Sequence, residues 1–346
     1  MQLELDGSRP AGPPFPLPPR SALAEWRAQI DPQIHFGTST WTYPGWQGLV
    51  YSRSYPTEGA TARMLAEYAQ FPLFTTVGID SSFYGPPTPK TLTAWSRALP
   101  EGFRCVSKAW DRITVHTFAG KREPQSLAGR QNPDFLNPNL FLSEVYEPFQ
   151  QYFGEHVGPF VFEFQTIAGR GAPDADTFAA QLDAFFGVLP REGQYAVELR
   201  NEEFLTPAYL TTLRFHNVAH VFNSWTHMPA IGRQLDVAES VTADFIVSRA
   251  LLRPGRVYAD AVQQFAPYQE PKDPNPELRT DLVRLAGVAS SRRIPAYLIV
   301  NNRAEGSAPH TIAAVAQMLA SGGAVAGEGV RSQKNPRDSG GGGQES

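Results

Sequence analysis

The sequence holds one cysteine, Cys105. A lone thiol forms no intramolecular disulfide and supplies no cysteine-rich zinc site. No apolar run approaches the ~18 residues of a membrane span. A strong charge bias is also missing: 30 basic side chains stand against 34 acidic ones, a formal charge of −4. Proteins that work by neutralising phosphates usually carry a basic excess, so overall charge lends nucleic-acid binding no support, although a local basic patch stays open. The opening MQLELDGSRPAGPPFPLPPR has no basic start followed by an apolar stretch and is not read as a secretory signal. A reducing, cytoplasmic compartment is the expectation.

What is present is a globular composition. Of 346 residues, 42% are hydrophobic and 18% charged, enough for a large core. Residues 1–30 begin proline-rich and residues 321–346 are glycine-rich and polar, so both are expected to be flexible. One domain is expected over 31–320, with no linker-like break. It alternates short apolar runs with helical patterns. The runs are IHFGTSTW (34–41), FTTVGIDSSFY (74–84), FRCVSKAW (103–110) and PFVFEFQ (159–165), then YAVELR (195–200), AHVFNSW (219–225), DFIVSRAL (244–251) and AYLIVNN (296–302). Continuous apolar runs are what strands buried on both faces require.

Between them fall stripes of helical period, such as Phe178, Leu182, Phe185 and Leu189. Strand and helix repeated eight times predict an α/β fold, a single (β/α)₈ barrel of the TIM type. The alternative, an open doubly wound sheet, needs a glycine-rich phosphate turn after its first strand, where this chain has TSTWTYPGW. The sixth unit, THMPAIGRQLDVAES, is expected to be mostly loop. Segment 111–150, with its QNPDFLNPN stretch, is expected to lie over the barrel mouth.

Barrels carry their chemistry at the C-terminal strand ends. Here those ends hold Ser39, Trp41, Tyr43 and Trp46; Asp80, Ser82 and Tyr84; Lys108 and Trp110; Glu163 and Gln165; Glu198 and Arg200; Trp225 and His227; Arg249; and Asn301, Asn302 and Arg303. Burying so many polar groups is costly unless they pair or meet a ligand.

In order over residues 34–320, GTSTWTYPGWQGLVY, IDSSFYGPP, LPEGFRCVSKA, VGPFVFEFQ, YAVELRNEEF and IVNNRAEGSAP resemble the YecE-like family, domain of unknown function number seventy-two. The resemblance implies a TIM-type barrel and a mouth site, but no reaction. The chain departs from the family pattern at Gly78 (glutamate there), Asp80 (asparagine), Asn201 (histidine) and after Arg249, where Ala250, Leu251 and Leu252 replace an x-His-Gly stretch.

The candidate catalytic groups are Glu198, Glu163, Lys108 and Asp80. Two carboxylates on adjacent strands push one pKa up, which makes a general acid at neutral pH. The competing reading of Glu198, Arg200, Glu163 and Lys108 is a structural ion-paired layer. Trp41, Tyr43, Tyr84 and Trp225 could stack a sugar or base, or simply pack the rim. Ser82, Gln165 and Arg200 are expected to bind substrate. Arg249, Asn301, Asn302 and Ser307, with the helix start at Pro309, are expected to form a seat for a phosphate or carboxylate. Only His227 stands directly after a strand end near acids, so no metal and no cofactor are expected. The expectation is therefore an enzyme acting by acid/base chemistry on a small anionic or sugar-like molecule. The alternatives are a non-catalytic binder of a carbohydrate, nucleotide or nucleic-acid end, and a barrel that has lost activity.

Overall fold

A computed structural model describes residues 15–56, 58–119, 125–169 and 171–322. Its strands are β1 (Ile34–Thr38), β2 (Gly78–Ile79), β3 (Cys105–Lys108), β4 (Val157–Glu163), β5 (Tyr195–Glu198), β6 (Ala219–Ser224), β7 (Ile246–Ala250) and β8 (Ala296–Val300). Each lies inside one of the apolar runs except β4, which starts two residues before its run. All pair in parallel, in the order β1-β8-β7-β6-β5-β4-β3-β2.

The two ends of this sheet meet. Phe36 of β1 bridges Phe74, just before β2, and the Thr75 and Thr76 amides donate to the Phe36 carbonyl at 3.0 and 3.3 Å. Glycine makes the approach possible. A Cβ on Gly37 would lie 2.2 Å from the Thr76 carbonyl oxygen, and one on Gly78 would lie 3.0–3.2 Å from the Ser39 backbone. The barrel is nearly closed at this seam, where Gly37 and Gly78 let the two backbones approach.

The helices are α1 (Arg20–Gln29), α2 (Thr61–Tyr68), α3 (Pro89–Ser96), α4 (Asp111–Thr114), α5 (Pro138–Phe141) and α6 (Glu147–Phe153). They continue as α7 (Ala175–Phe186), α8 (Pro207–Phe215), α9 (Ile231–Leu235), α10 (Tyr258–Phe265), α11 (Pro276–Arg292) and α12 (Ala308–Ala320). Several start where the sequence signals a start. Thr88, Asp174, Thr206 and Asn275 each accept a backbone amide of the first turn, and proline follows three of them. After Trp225 the sixth unit is mostly loop, with only the short α9.

Two boundaries differ from the sequence reading. Residues 1–30 are not one flexible segment. Residues 20–29 form α1, which packs on α12 and buries Leu23 completely, while Arg20 donates to the Val50 carbonyl at 2.7 Å. The remaining tail expectations, for 1–14 and 323–346, lie outside the described residues. Segment 111–150 divides as well. Its first part, 111–119, reaches the mouth. Its second half instead forms the outer wall of β4, where Phe141 and Phe149 meet Phe160 edge-on.

Inside the barrel, period-two alternation builds two layers. Val106, Val161, Ala196, Val221, Val247 and Ile299 form an apolar plug with Tyr297 and Phe245. Two residues further along the same strands stand Lys108, Glu163, Glu198, Asn223, Arg249 and Asn301. A polar layer therefore sits directly on a dry floor.

Candidate active site at the barrel mouth

Six charged groups from five strand ends join into one ring. Arg249 on β7 donates both Nη groups to the two oxygens of Asp80, at 2.8 Å each. Its Nε lies 2.9 Å from Glu198 on β5. Arg200 Nη2 lies 2.6 Å from Glu198 and 3.0 Å from Glu163 on β4. Lys108 Nζ on β3 donates to Glu163 at 2.6 Å and stands 3.7 Å from Asp80 Oδ2, which closes the circuit. Charges alternate around it. Every cation faces two carboxylates, every carboxylate faces two cations, and the ring is neutral as a whole.

The register places these groups. Glu163 and Glu198 are partners across β4 and β5, and Arg249 is level with Asn223 on β6. The Arg200 guanidinium lies over Trp225, 3.9 Å from the ring centre, a cation–π contact that helps hold it in place. The ring is mostly dry: Glu198 is 0% and Arg249 1% exposed, whereas the Asp80 side chain is 24% exposed. The two oxygens of Glu198 lie close to cations but off the N–H axes, so charge rather than directed hydrogen bonding holds them.

The sequence analysis expects a carboxyl with a raised pKa, but Glu163 and Asp80 are both shifted the other way. Burial alone would raise Glu163, but Arg200 and Lys108 outweigh it and hold the group well below the usual carboxylate range. Asp80 behaves alike: burial pushes up, and Arg249 with Lys108 pulls further down. Burial would lower the Arg249 guanidinium, but Asp80 and Glu198 raise it further. The like-charge pair is broken up because Arg200 sits between its members.

A cavity of about 600 Å³ opens above the ring. Asp80, Lys108, Glu163, Arg200 and Arg249 form its floor, while Glu198 lies beneath them and does not reach it. Of the other expected site residues, Tyr84, Gln165, Trp225 and Asn301 line the walls. The sequence reading missed Phe83, Asp111, His116 and Leu251, which also line the cavity. Asp111 and His116 come from the non-strand segment after β3, where period-two counting gives no signal. Burial lowers the pKa of His116, whose Nδ1 is 2.9 Å from Thr117 Oγ1.

Other expected residues have structural tasks. Trp41 is buried, with Nε1 donating to the Thr61 carbonyl and its ring edge-on to Trp95. Tyr43 packs on Trp46 and Tyr268. Ser82 donates to the Ile79 and Lys108 carbonyls, tying β2 to β3. The anion seat does not form. All three guanidinium nitrogens of Arg249 already face carboxylates. Asn302 Oδ1 accepts the Ala308 amide at the start of α12, and the buried Ser307 hydroxyl meets His310 Nδ1 at 2.8 Å. Neither Asn302 nor Ser307 lines the cavity. His227 is exposed and outside the cavity. Among the described residues, no three His, Cys, Asp or Glu side chains are grouped to hold a metal ion.

The profile of a family described as "Protein of unknown function DUF72" matches residues 35–337. The chain belongs to the DUF72 family. Two solved structures share its fold. A DUF72 family protein from Enterococcus faecalis V583 is 19% identical, with a TM-score of 0.56 over 83% of this chain and 95% of that one. A DUF72 family protein from Thermotoga maritima MSB8 is 16% identical, with a TM-score of 0.55 over 83% of this chain and 98% of that one. No curated protein matches. In this DUF72 chain Asn201, where the resemblance leads to the expectation of a histidine, holds the loop after β4. Its Oδ1 accepts the Ile167 amide at 2.8 Å and its Nδ2 donates to the Ile167 carbonyl at 3.0 Å.

Proposed function

We propose that this DUF72 protein is an enzyme that binds a small polar molecule in the mouth cavity and moves a proton on it. One observation carries the reading: a neutral ring of six desolvated ionic groups turns the edge bearing Asp80 and Lys108 toward an open cavity. Buried ion pairs are weak devices for stability, and apolar residues of similar volume often serve better. Their presence on a dry floor, facing a cavity, fits a site arranged in advance for a ligand's polar groups.

The roles follow from accessibility. Asp80, an ionised acceptor, and Lys108, a donor, meet the substrate. Glu163 and Arg200 line the floor and orient Lys108. Glu198 lies below and holds both arginines, so it positions rather than reacts. The lone buried Cys105 fits the reducing, cytoplasmic setting that belongs to this reading. Among the described residues no helix is long and apolar enough to cross a membrane.

A non-catalytic binding protein is the second reading. It is favoured by the low pKa of Asp80 and Glu163, because such carboxylates are weak proton acceptors at neutral pH. A thermal-shift screen of sugars, sugar phosphates and nucleotides, followed by product analysis, separates the two. For an enzyme, Asp80→Asn no longer converts a ligand found in the screen even at concentrations that saturate the variant. Binding without conversion by the unmodified protein assigns the mouth to the second reading.

A further inference from the structure

We infer that the mouth recognises its ligand through an uncharged hydroxyl seated between Asp80 and Lys108, and that the ligand is a neutral polyol rather than a phosphate- or carboxylate-bearing molecule. This inference rests on the reading of the mouth as a small-molecule site and names the substrate class for it.

The first support is the one slack link of the ring. The other five junctions have contacts of 2.6–3.0 Å, but Lys108 Nζ and Asp80 Oδ2 stand 3.7 Å apart, beyond a hydrogen bond. Both residues face the cavity. An oxygen about 2.8 Å from each atom closes that triangle. The group placed there must donate to a carboxylate and accept from an ammonium at once. A hydroxyl does both. An ionised phosphate or carboxylate oxygen only accepts, and it would meet Asp80 charge against charge.

The second support is the charge balance. The three carboxylates and three cations of the ring cancel. A bound anion would need a cation of its own, and each of the ring's three is already shared between two carboxylates; Arg303, on the cavity wall, lies outside the ring. Arg249 is the extreme case, with Nε, Nη1 and Nη2 all committed. An anion would have to break a buried pair to enter, whereas a neutral molecule displaces none. The walls suit a polyol as well. Phe83, Tyr84, Trp225 and Leu251 offer apolar surface to carbon faces, beside the amide groups of Gln165 and Asn301.

The test is a titration of the full chain, by calorimetry and ligand-observed NMR, with a panel of monosaccharides and sugar alcohols. Each is paired with its phosphate ester, and inorganic phosphate is run alone. The expected result is saturable binding of at least one free polyol, with its phosphate ester weaker and inorganic phosphate silent. The deoxy analogue lacking the seated hydroxyl binds roughly ten- to a hundredfold more weakly. Asp80→Asn, which leaves the ring one positive charge in excess, loses affinity for that polyol and gains it for inorganic phosphate. The comparison of polyol with phosphate in the unmodified protein stands even if that variant does not fold. Failure of every polyol to bind, or tighter binding of an ester than of its parent, overturns the inference. If an ester binds best and Trp225→Ala abolishes its binding, the mouth reading survives and only the polyol assignment falls. If binding of any panel member ignores both Asp80→Asn and Trp225→Ala, both fall.

Discussion

Arg249 grips Asp80 with two parallel 2.8 Å hydrogen bonds across 169 residues of sequence and two intervening strands, β8 and β1. The pair therefore spans the seam at which the barrel closes. A planar guanidinium is the side chain that can hold a carboxylate this way while its Nε serves Glu198.

That geometry makes Arg249 a structural residue before it is anything else. Arg249→Met should cost about 3–5 kcal/mol of stability, because fully buried Glu198 and partly buried Asp80 each lose one of their two cations. Urea unfolding checks this through a lower midpoint at unchanged slope. The double variant Arg249→Met, Glu198→Gln should lose less than the sum of its single changes, since both act on one contact. A loss below about 1 kcal/mol for Arg249→Met is incompatible with the ring.

Stability should fall with acid in two stages. Burial lowers the imidazole of His220 to about 4 against the pull of Gln234, and His35 also falls to about 4, by burial and then the charges of Arg27 and Arg104. An unfolded chain protonates its histidines from near the usual 6.5, so it binds more protons than the fold between there and about 4. Stability is lost across that window as pH drops. Asp80 and Glu163 act lower. Their folded values lie below the unfolded 3.8 and 4.5, so their contribution is full above those values and disappears as pH falls through the folded ones. His220→Gln should flatten the upper stage and Glu163→Gln the lower. A stability profile level between pH 6.5 and 4 in the unmodified protein would contradict the upper stage.

The barrel is legible in continuous apolar runs alternating with helical stripes, and the polar floor in period two alone. Counting two residues on from Val106, Val161, Ala196 and Val247 arrives at Lys108, Glu163, Glu198 and Arg249, whatever their rotamers. The direction of the pKa shifts was not legible in the same way. It depends on Arg200 turning its guanidinium between two glutamates, which a strand pattern does not encode. The loop after β8 misled for a related reason. Asn302 and Ser307 are suited to an anion by type, but the path of the turn aims them at α12. Helix α1 went unread because it follows a proline-rich stretch and starts after Pro19 with no side-chain cap, although Leu23, Trp26 and Ile30 pack on the core at helical spacing.

The closure at Gly37 gives a sharp mutational contrast. Gly37→Ala places a methyl group 2.2 Å from the Thr76 carbonyl oxygen, and neither backbone can yield without opening the seam. A loss of at least about 1–3 kcal/mol is expected, as for other overpacked sites. Gly287→Ala in α11 is the control. Its Cβ meets nothing within 4 Å, so it should gain about 0.5–1 kcal/mol from helix propensity. Thermal melts of the two variants should move in opposite directions. Equal shifts would mean that the seam is not tight.

Asn302 separates a helix cap from a ligand seat. Its Oδ1 accepts the Ala308 amide at 2.8 Å, satisfying one of the free donors at the start of α12, and its own carbonyl accepts the Gly306 amide at 2.7 Å. The turn is tight because Gly306 has φ +111°, and a Cβ there would meet the Glu270 carbonyl oxygen at 2.7 Å. Asn302→Ala removes the side-chain bond and keeps the turn, so it should cost about 1 kcal/mol, as lost caps do. Binding in the mouth should not change, because Asn302 is 1% exposed and lies outside the cavity wall. Melting temperature and a ligand titration on one protein sample decide the matter together. A lower melting temperature with unchanged binding establishes the cap. Weakened phosphate binding in both Asn302→Ala and Ser307→Ala at unchanged melting temperature would restore the anion seat, since both residues stand at the start of α12 and a loosened helix would lower that temperature.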